Sequence, residues 1–237
     1  MPDFELAAGS VTGRDHIVSG RGSQDAWCTF RGPEALVVVV CDGCGSGRHS
    51  EVGAQLGARL LTEALRARVA DPAEQLLEST RLGLLSRLRG LAETMGGPLP
   101  AVVADYLLFT VIGAIATPQA VTVFSLGDGL VAVNGCVEVL AFPGNEPPYL
   151  AYGLLDGDAP RFRIHAMLGA EQLDHLLIGT DGATELIALD ALSQFWEQER
   201  YFRNPALVTR RLRVFDRETA RLHDDATLVA VRRCTSS

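Results

Sequence analysis

The sequence predicts an α+β protein in which antiparallel strands and two groups of helices form a layered sandwich. Three observations carry that reading. Short β-branched segments recur along the chain, bounded by Gly, Pro and Asn. Two stretches, before position 92 and after position 184, instead carry apolar residues at helical spacing. Asn134-Gly135 between two β-rich segments is a two-residue hairpin signal, which only antiparallel neighbours use. No repeat, linker or low-complexity segment divides the 237 residues, so one domain over 1–237 is expected.

Residues 3 to 40 read as strands. Phe4 to Val11 is the first and Ala26 to Phe30 the second, with turns at Gly20, Gly22 and Gly32-Pro33. The chain is organised around Leu36 to Ser50, LVVVVCDGCGSGRHS. Its β-branched run, Val37 to Val40, ends abruptly in Asp42-Gly43 and a glycine-rich turn. A helix leaves from that turn, with Val52, Leu56, Leu60 and Ala64 predicted on one face. A buried strand thus delivers a carboxylate to its wet end, a stiff place to hold a metal or a phosphate. The plainer alternative makes Asp42 a turn residue or helix cap.

Asp71 reads as the N-cap of a second helix with Pro72 at its first position. It runs to about Ala92, with leucines at 77, 84, 85, 88 and 91, and Gly96-Gly97-Pro98 stops it. From Tyr106 the period changes. Tyr106–Ala116, Val121–Leu126, Leu130–Val133 and Val137–Phe142 read as strands. Pro143 to Pro160 reads as a loop crossing the surface, with Asp156-Gly157-Asp158 as a turn in it. Arg161–Met167 and Asp174–Gly179 resume strands, followed by helical pieces at 184–200. Asn204-Pro205 opens a helix with Val208, Leu212 and Phe215 on one face, and Ala226–Val231 is the last strand. Trp27, Phe195 and Trp196 are assigned to the core, while His165, His175 and His223 have no evident partners.

The formal net charge of −8 argues against a general nucleic-acid or anionic-membrane surface, both of which require clustered Lys and Arg. The start, MPDFELAAGS, lacks the basic-then-apolar pattern of a signal peptide, and no apolar run approaches a membrane span. Five cysteines, an odd number, point to reduced thiols and a cytoplasmic protein. Cys41-x-x-Cys44 lacks a second pair and reads as one core thiol and one loop thiol.

Asp-Gly or Asp-Asp sits at a strand boundary at Asp42, Asp128, Asp181 and Asp224, and Asp25 directly precedes a strand. Any one of these is bland. Five in one chain indicate that several converge, and converging carboxylates repel one another unless a cation neutralises them. Oxygen donors select a hard divalent ion, hence Mg²⁺ or Mn²⁺. Gly43 would let its backbone carbonyl approach such an ion. No His or Cys spacing resembles a zinc site. The glycines at 43, 45 and 47 match neither the dinucleotide fingerprint nor the phosphate loop.

In order along the chain, Asp42-Gly43 with its glycine loop, Leu126-Gly127-Asp128-Gly129, Leu177-Ile178-Gly179-Thr180-Asp181-Gly182 and Asp224-Asp225-Ala226-Thr227 resemble the motifs of metal-dependent, type 2C (PPM) protein phosphatases. Gly20 to Ala26, ending Gln24-Asp25-Ala26, is similar to their N-terminal motif. Asp-Gly-Cys-Gly-Ser-Gly followed by Ser50-Glu51-Val52-Gly53-Ala54 most resembles a bacterial branch. The likeness runs from about Gly9 to Val231. It implies a four-layer αββα sandwich with a binuclear Mn²⁺/Mg²⁺ centre between two antiparallel sheets. On the matching positions, Asp42 would bridge both ions, the Gly43 carbonyl would bind one, Asp181 and Asp224 would complete the second site, and Asp25 would bind near the first. Asp128 matches a ligand of a third ion, with Glu185 as its second ligand. The implied substrate is a phosphoserine or phosphothreonine protein, with a cognate Ser/Thr kinase or its target as partner.

Two positions depart from the common pattern. The phosphate-gripping Arg usually stands five residues before the N-terminal Asp, whereas Arg21 is four before Asp25; Arg14 or His16 could substitute. Gly47 occupies the position of a common His that is a candidate acid for the leaving group, and His49 lies nearby. A catalytically weak relative that binds phosphoproteins or a kinase is therefore the second reading. A metal-dependent nuclease is a third, disfavoured by the acidic balance.

Overall fold

A strand whose residues are apolar on both sides must be covered on both faces. The computed structural model, which describes residues 4–155, 157–188 and 190–234, covers the Val37–Val40 run in this way. Val37, Val39 and Cys41 pack towards helices, while Leu36, Val38 and Val40 pack towards a second sheet.

Strands β1 (Phe4–Val11), β2 (Asp25–Arg31), β3 (Leu36–Asp42), β4 (Val111–Ala116), β5 (Ala120–Leu126), β6 (Gly129–Val133), β7 (Cys136–Leu140), β8 (Arg163–Gly169), β9 (His175–Gly179) and β10 (Ala226–Arg233) form two five-stranded sheets. Their orders are β2-β3-β4-β5-β8 and β1-β10-β9-β6-β7. Neighbours pair antiparallel throughout. The helices are α1 (Arg14–Ser19), α2 (Ser50–Arg66), α3 (Ala73–Met95), α4 (Leu99–Val102), α5 (Gln194–Glu197), α6 (Glu199–Arg203) and α7 (Ala206–Thr219).

Three apolar layers bind these elements into four. Side chains such as Leu61, Leu84 and Leu88 from α2 and α3 pack on one sheet, and Phe195, Val208, Leu212 and Phe215 pack on the other. Ile112, Val123, Val131, Ile178 and Val229 fill the space between the sheets. The protein is an α+β, four-layer αββα sandwich, as the sequence predicts.

Several elements differ from that expectation. Residues 14–19, read within a strand region, form α1, and Val103–Leu107 is π-helical before β4 begins at Val111. Pro72 is the N-cap of α3, which starts at Ala73. The buried face of α2 consists of Ser50, Gly53, Ala54, Gly57, Ala58, Leu61, Thr62 and Leu65, displaced from the predicted one, and Val52 is exposed. The cause is close approach: a Cβ on Gly53 would lie 2.1 Å from the Tyr106 carbonyl, and one on Gly57 would meet the Phe109 ring at 2.3 Å. Small residues therefore mark the contact face, and the larger ones flank it.

The stretch 143–160 does not simply cross the surface, because Tyr149, Leu150, Ala151 and Leu154 are buried in the helix-side core. Asp156 of the expected turn lies outside the described residues. Trp27 is 41% exposed, Phe195 is buried, and Trp196 is partly buried with His175 stacked on it. His175 and His165 thus both have partners, the latter described below, and His223 lies 3.9 Å from Asp15. Cys28, Cys41, Cys44 and Cys136 form no disulfide, with Cys41 in the core and Cys44 in the loop. No helix among the described residues is long and apolar enough to cross a membrane.

Candidate metal centre

The acidic motifs sit at the ends of strands from both sheets, and the topology brings those ends together. Asp25 and Asp42 are direct partners in the β2–β3 register. Gly127-Asp128-Gly129 links β5 in one sheet to β6 in the other, so it is a crossing between sheets and not a hairpin turn. Its glycines stand at φ +105 and +134, where a side chain is strained. The crossing buries Asp128, which is 6% exposed. Asp181 follows β9 at the start of a 3₁₀ turn, Asp181–Leu186, and Asp224 precedes β10.

Asp42, Asp128, Asp181 and Asp224 line one cleft of about 110 Å³, together with Gly43, Gln24, Cys44, Thr110, Asn145 and Tyr149. The Asp42 carboxyl feels the charges of Asp25, Asp181 and Asp224 together. Burial, then the charges of Asp25, Asp181 and Asp224, push Asp42 well above the usual carboxylate range. Burial is also the largest cause for Asp25, pushed up to about 8 although Thr180 donates a 2.8 Å hydrogen bond to its Oδ2. Asp128 rises to about 6 through burial and then Asp181, and Asp224 is raised through burial as well.

Buried Oδ1 atoms of Asp25 and Asp181 have no hydrogen-bond partner. Such orphaned acceptors among like charges are costly unless a cation completes them. The donor set is all oxygen, with the Gly43 backbone beside it, and it fits Mg²⁺ or Mn²⁺. A second cavity of about 280 Å³ adjoins the cleft, sharing Asp128, Asn145, Asp181 and Asp224 with it. Glu185 lines this cavity with Asp128, so the two carboxylates expected together are brought to one space.

The expected phosphate and proton groups are placed otherwise. Arg21 donates from its two terminal nitrogens to the Gly45 and Gly47 carbonyls at 2.9 and 2.6 Å, so it braces the glycine loop. Arg14 pairs with Asp216 at 3.0 Å. His49 is not brought to the cleft: its ring stacks on Tyr106 at 5.1 Å, and Nδ1 lies 3.6 Å from Glu51. The physical reason is its position as N-cap of α2, directed outwards by the first helical turn. His16 does face the acidic end, with Nδ1 2.8 Å from Asp225 Oδ2, and groups with Asp224 and Asp225 within 4.8 Å.

Asp225 is the organising residue that the sequence reading missed as such. Fully buried, it accepts the Gly13 amide at 2.7 Å and the Gln24 amide at 2.5 Å, tying the N-terminal segment to the start of β10. Only the doubled Asp224-Asp225 hinted at it. Tyr149, Asn145 and Thr110 were also missed, since no motif surrounds them and long-range packing alone brings them to the cleft.

A two-sheet sandwich with a carboxylate-lined cleft at its strand ends is the fold of a metal-dependent class of phosphatases. The chain belongs to the protein phosphatase 2C family, whose model matches residues 12–224. Among solved structures it is similar to a bacterial serine phosphatase at 16% identity and TM-score 0.66, covering 99% of this chain and 100% of that one. It is likewise similar to the serine/threonine phosphatase Stp1 from Staphylococcus aureus, at 17% identity and TM-score 0.65, covering 98% and 96%. The S. agalactiae serine/threonine phosphatase matches at 12% identity and TM-score 0.68, covering 98% and 100%. At these identities the likeness is one of fold. No match was found among curated proteins.

Proposed function

We propose that this chain is a metal-dependent protein serine/threonine phosphatase of the cytoplasm, acting in signal transduction on a phosphorylated protein, the target of a cognate Ser/Thr kinase or the kinase itself. The observation that carries the reading is the convergence of Asp42, Asp128, Asp181 and Asp224 on one cleft, with Asp25 buried against Asp42. In this reading Asp42, the Gly43 carbonyl, Asp25, Asp181 and Asp224 would hold the catalytic metal ions, and Asp128 with Glu185 would hold a further one. Bound there, Mn²⁺ or Mg²⁺ supplies water activation and neutralises phosphoryl oxygens during in-line hydrolysis.

The chain's own residues do the rest. Thr180, through Asp25, and Asp225, through the Gly13 and Gln24 amides, fix the carboxylates in place. Arg21 shapes the glycine loop that walls the cleft, and Asn145 and Tyr149 line it as well.

One observation favours the second reading, a weakly active relative that binds phosphoproteins or a kinase: among the described residues no Arg, Lys or His lines the cleft, and Arg21 is engaged elsewhere. The test is phosphate release from a phosphothreonine peptide and from p-nitrophenyl phosphate, with and without Mn²⁺. Metal-dependent release from both is the expected result. Binding of the peptide without release would establish the second reading instead.

A further inference from the structure

A different polar cluster lies away from the metal centre, where the edges of the two sheets face each other. β7 is the edge of one sheet and β8 of the other. Glu138 on β7 and His165 on β8 meet across that gap, Oε2 to Nδ1, at 3.0 Å. On its far side the same ring contacts Ser125 of β5, Nε2 to Oγ, at 2.8 Å. The His165 side chain is 2% exposed and Ser125 is 4% exposed. A carboxylate can only accept, so the proton between Glu138 and His165 resides on Nδ1. In the neutral imidazole that leaves Nε2 as the acceptor of the serine hydroxyl.

These three residues border a cavity of about 340 Å³, walled by Leu126, Leu140, Phe142 and Pro148 and edged by the exposed Arg161 and Arg163. Arg163 is the direct cross-strand partner of Ser125, and its guanidinium lies 3.2 Å from Glu138. Glu138 and His165 alone suffice to tie the sheet edges together. The serine hydroxyl against the second ring nitrogen, at a cavity wall, is what a nucleophile–base–carboxylate series requires.

We propose that Ser125, His165 and Glu138 form a second, metal-independent nucleophilic site that takes carboxylic esters of short apolar acids. Ser125 Oγ bonds to the ester carbonyl carbon while its proton passes to His165 Nε2. The carbonyl–alkoxy bond then breaks, and that proton leaves on the alcohol. Water repeats the sequence on the acyl-serine, releasing the acid and restoring the hydroxyl. Ser125 and His165 are the catalytic residues, and Glu138 is a positioning residue that holds the ring tautomer. Arg163, opposite Ser125, is the cation available to the oxygen that becomes negative. The apolar walls select the acyl group, and the volume restricts it to short chains.

The test uses the full chain in excess EDTA, so that no metal-dependent hydrolysis contributes. The protein is treated with a fluorophosphonate probe, in which attack by Ser125 Oγ forms an O–P bond and expels fluoride, then digested for mass spectrometry. The expected result is an adduct on Ser125 of the unsubstituted chain and none in Ser125→Ala. Labelling should slow by roughly tenfold or more in Glu138→Gln and recover in Glu138→Asp. Hydrolysis of p-nitrophenyl butyrate should follow the same order. No adduct on Ser125 in the unsubstituted chain, where folding of a variant is not at issue, overturns the proposal. An unchanged labelling rate in Glu138→Gln overturns it equally, since a purely structural link between the sheets would not set that rate.

Discussion

At the strand-end cleft, Asp25 and Asp181 each bury a carboxylate oxygen without a partner, and Asp42 feels the like charges of Asp25, Asp181 and Asp224. At the sheet edge, both ring nitrogens of His165 and both carboxylate oxygens of Glu138 are engaged. The same fold thus buries polar groups in two opposite conditions. A satisfied network adds rigidity by itself, whereas an unsatisfied cluster of like charges stays at a cost until something of opposite charge completes it. The contrast separates a cluster that needs a cation to complete it from a network already paired within the chain, and it can be broken or sharpened experimentally.

The largest effect is expected at Asp42. Asp42→Asn and Asp181→Asn should each lower Mn²⁺-dependent phosphatase activity by about 10³-fold, since each removes a charge on which the centre depends. The metal-free variants should be as stable as the unsubstituted protein or more so, because repulsion is relieved. Phosphate-release assays and thermal melts in EDTA check the two halves separately. Near-normal activity at saturating Mn²⁺ would remove Asp42 or Asp181 from the centre.

Next comes the pH dependence of metal-free stability. Asp25, pushed up to about 8, and Asp128, pushed up to about 6, bind protons more tightly folded than unfolded. Their contribution is fully present below the ordinary value of 3.8 and is lost as pH rises through 6 and 8. In EDTA, Tm should therefore fall between pH 5 and 8.5, and added Mn²⁺ should raise it more at pH 8 than at pH 5. A flat Tm across that range in EDTA would show the cleft to be less charged than its geometry indicates.

Ser125→Ala probes the satisfied end. It leaves the buried His165 Nε2 without a partner, and stability should drop by about 1–3 kcal/mol in urea titration. The sign is opposite to that of Asp42→Asn in EDTA, which is the comparison at its sharpest.

The smallest effect belongs to Arg21→Ala. It removes two hydrogen bonds to the glycine loop at a half-exposed site, and should cost about 1 kcal/mol. KM for p-nitrophenyl phosphate should change less than twofold, because the guanidinium is engaged with carbonyls and not with the cleft. A several-fold rise in KM would instead give Arg21 the phosphate grip that its place near Asp25 first implied.

The sequence by itself determined the layered α+β architecture, most strand positions, and the five carboxylates that terminate strands. These are local matters: β-branched runs, turn residues and Asp-Gly steps express themselves within a few positions of the chain. It misplaced the face of α2, because glycine and alanine carry little apolar signal and their value there lies in allowing a neighbouring backbone to approach. It missed Asp225, Tyr149 and the Ser125–His165–Glu138 series for a related reason. Ser125 and His165 are forty residues apart, and Asp225 meets Gly13 from 212 positions away. Whether Arg21 reaches a loop carbonyl or a phosphate, and whether His49 turns inwards or stacks on Tyr106, depends on where two distant segments come to rest. Sequence spacing decides which residues share an element, but only the packing of one sheet on the other decides which side chains meet.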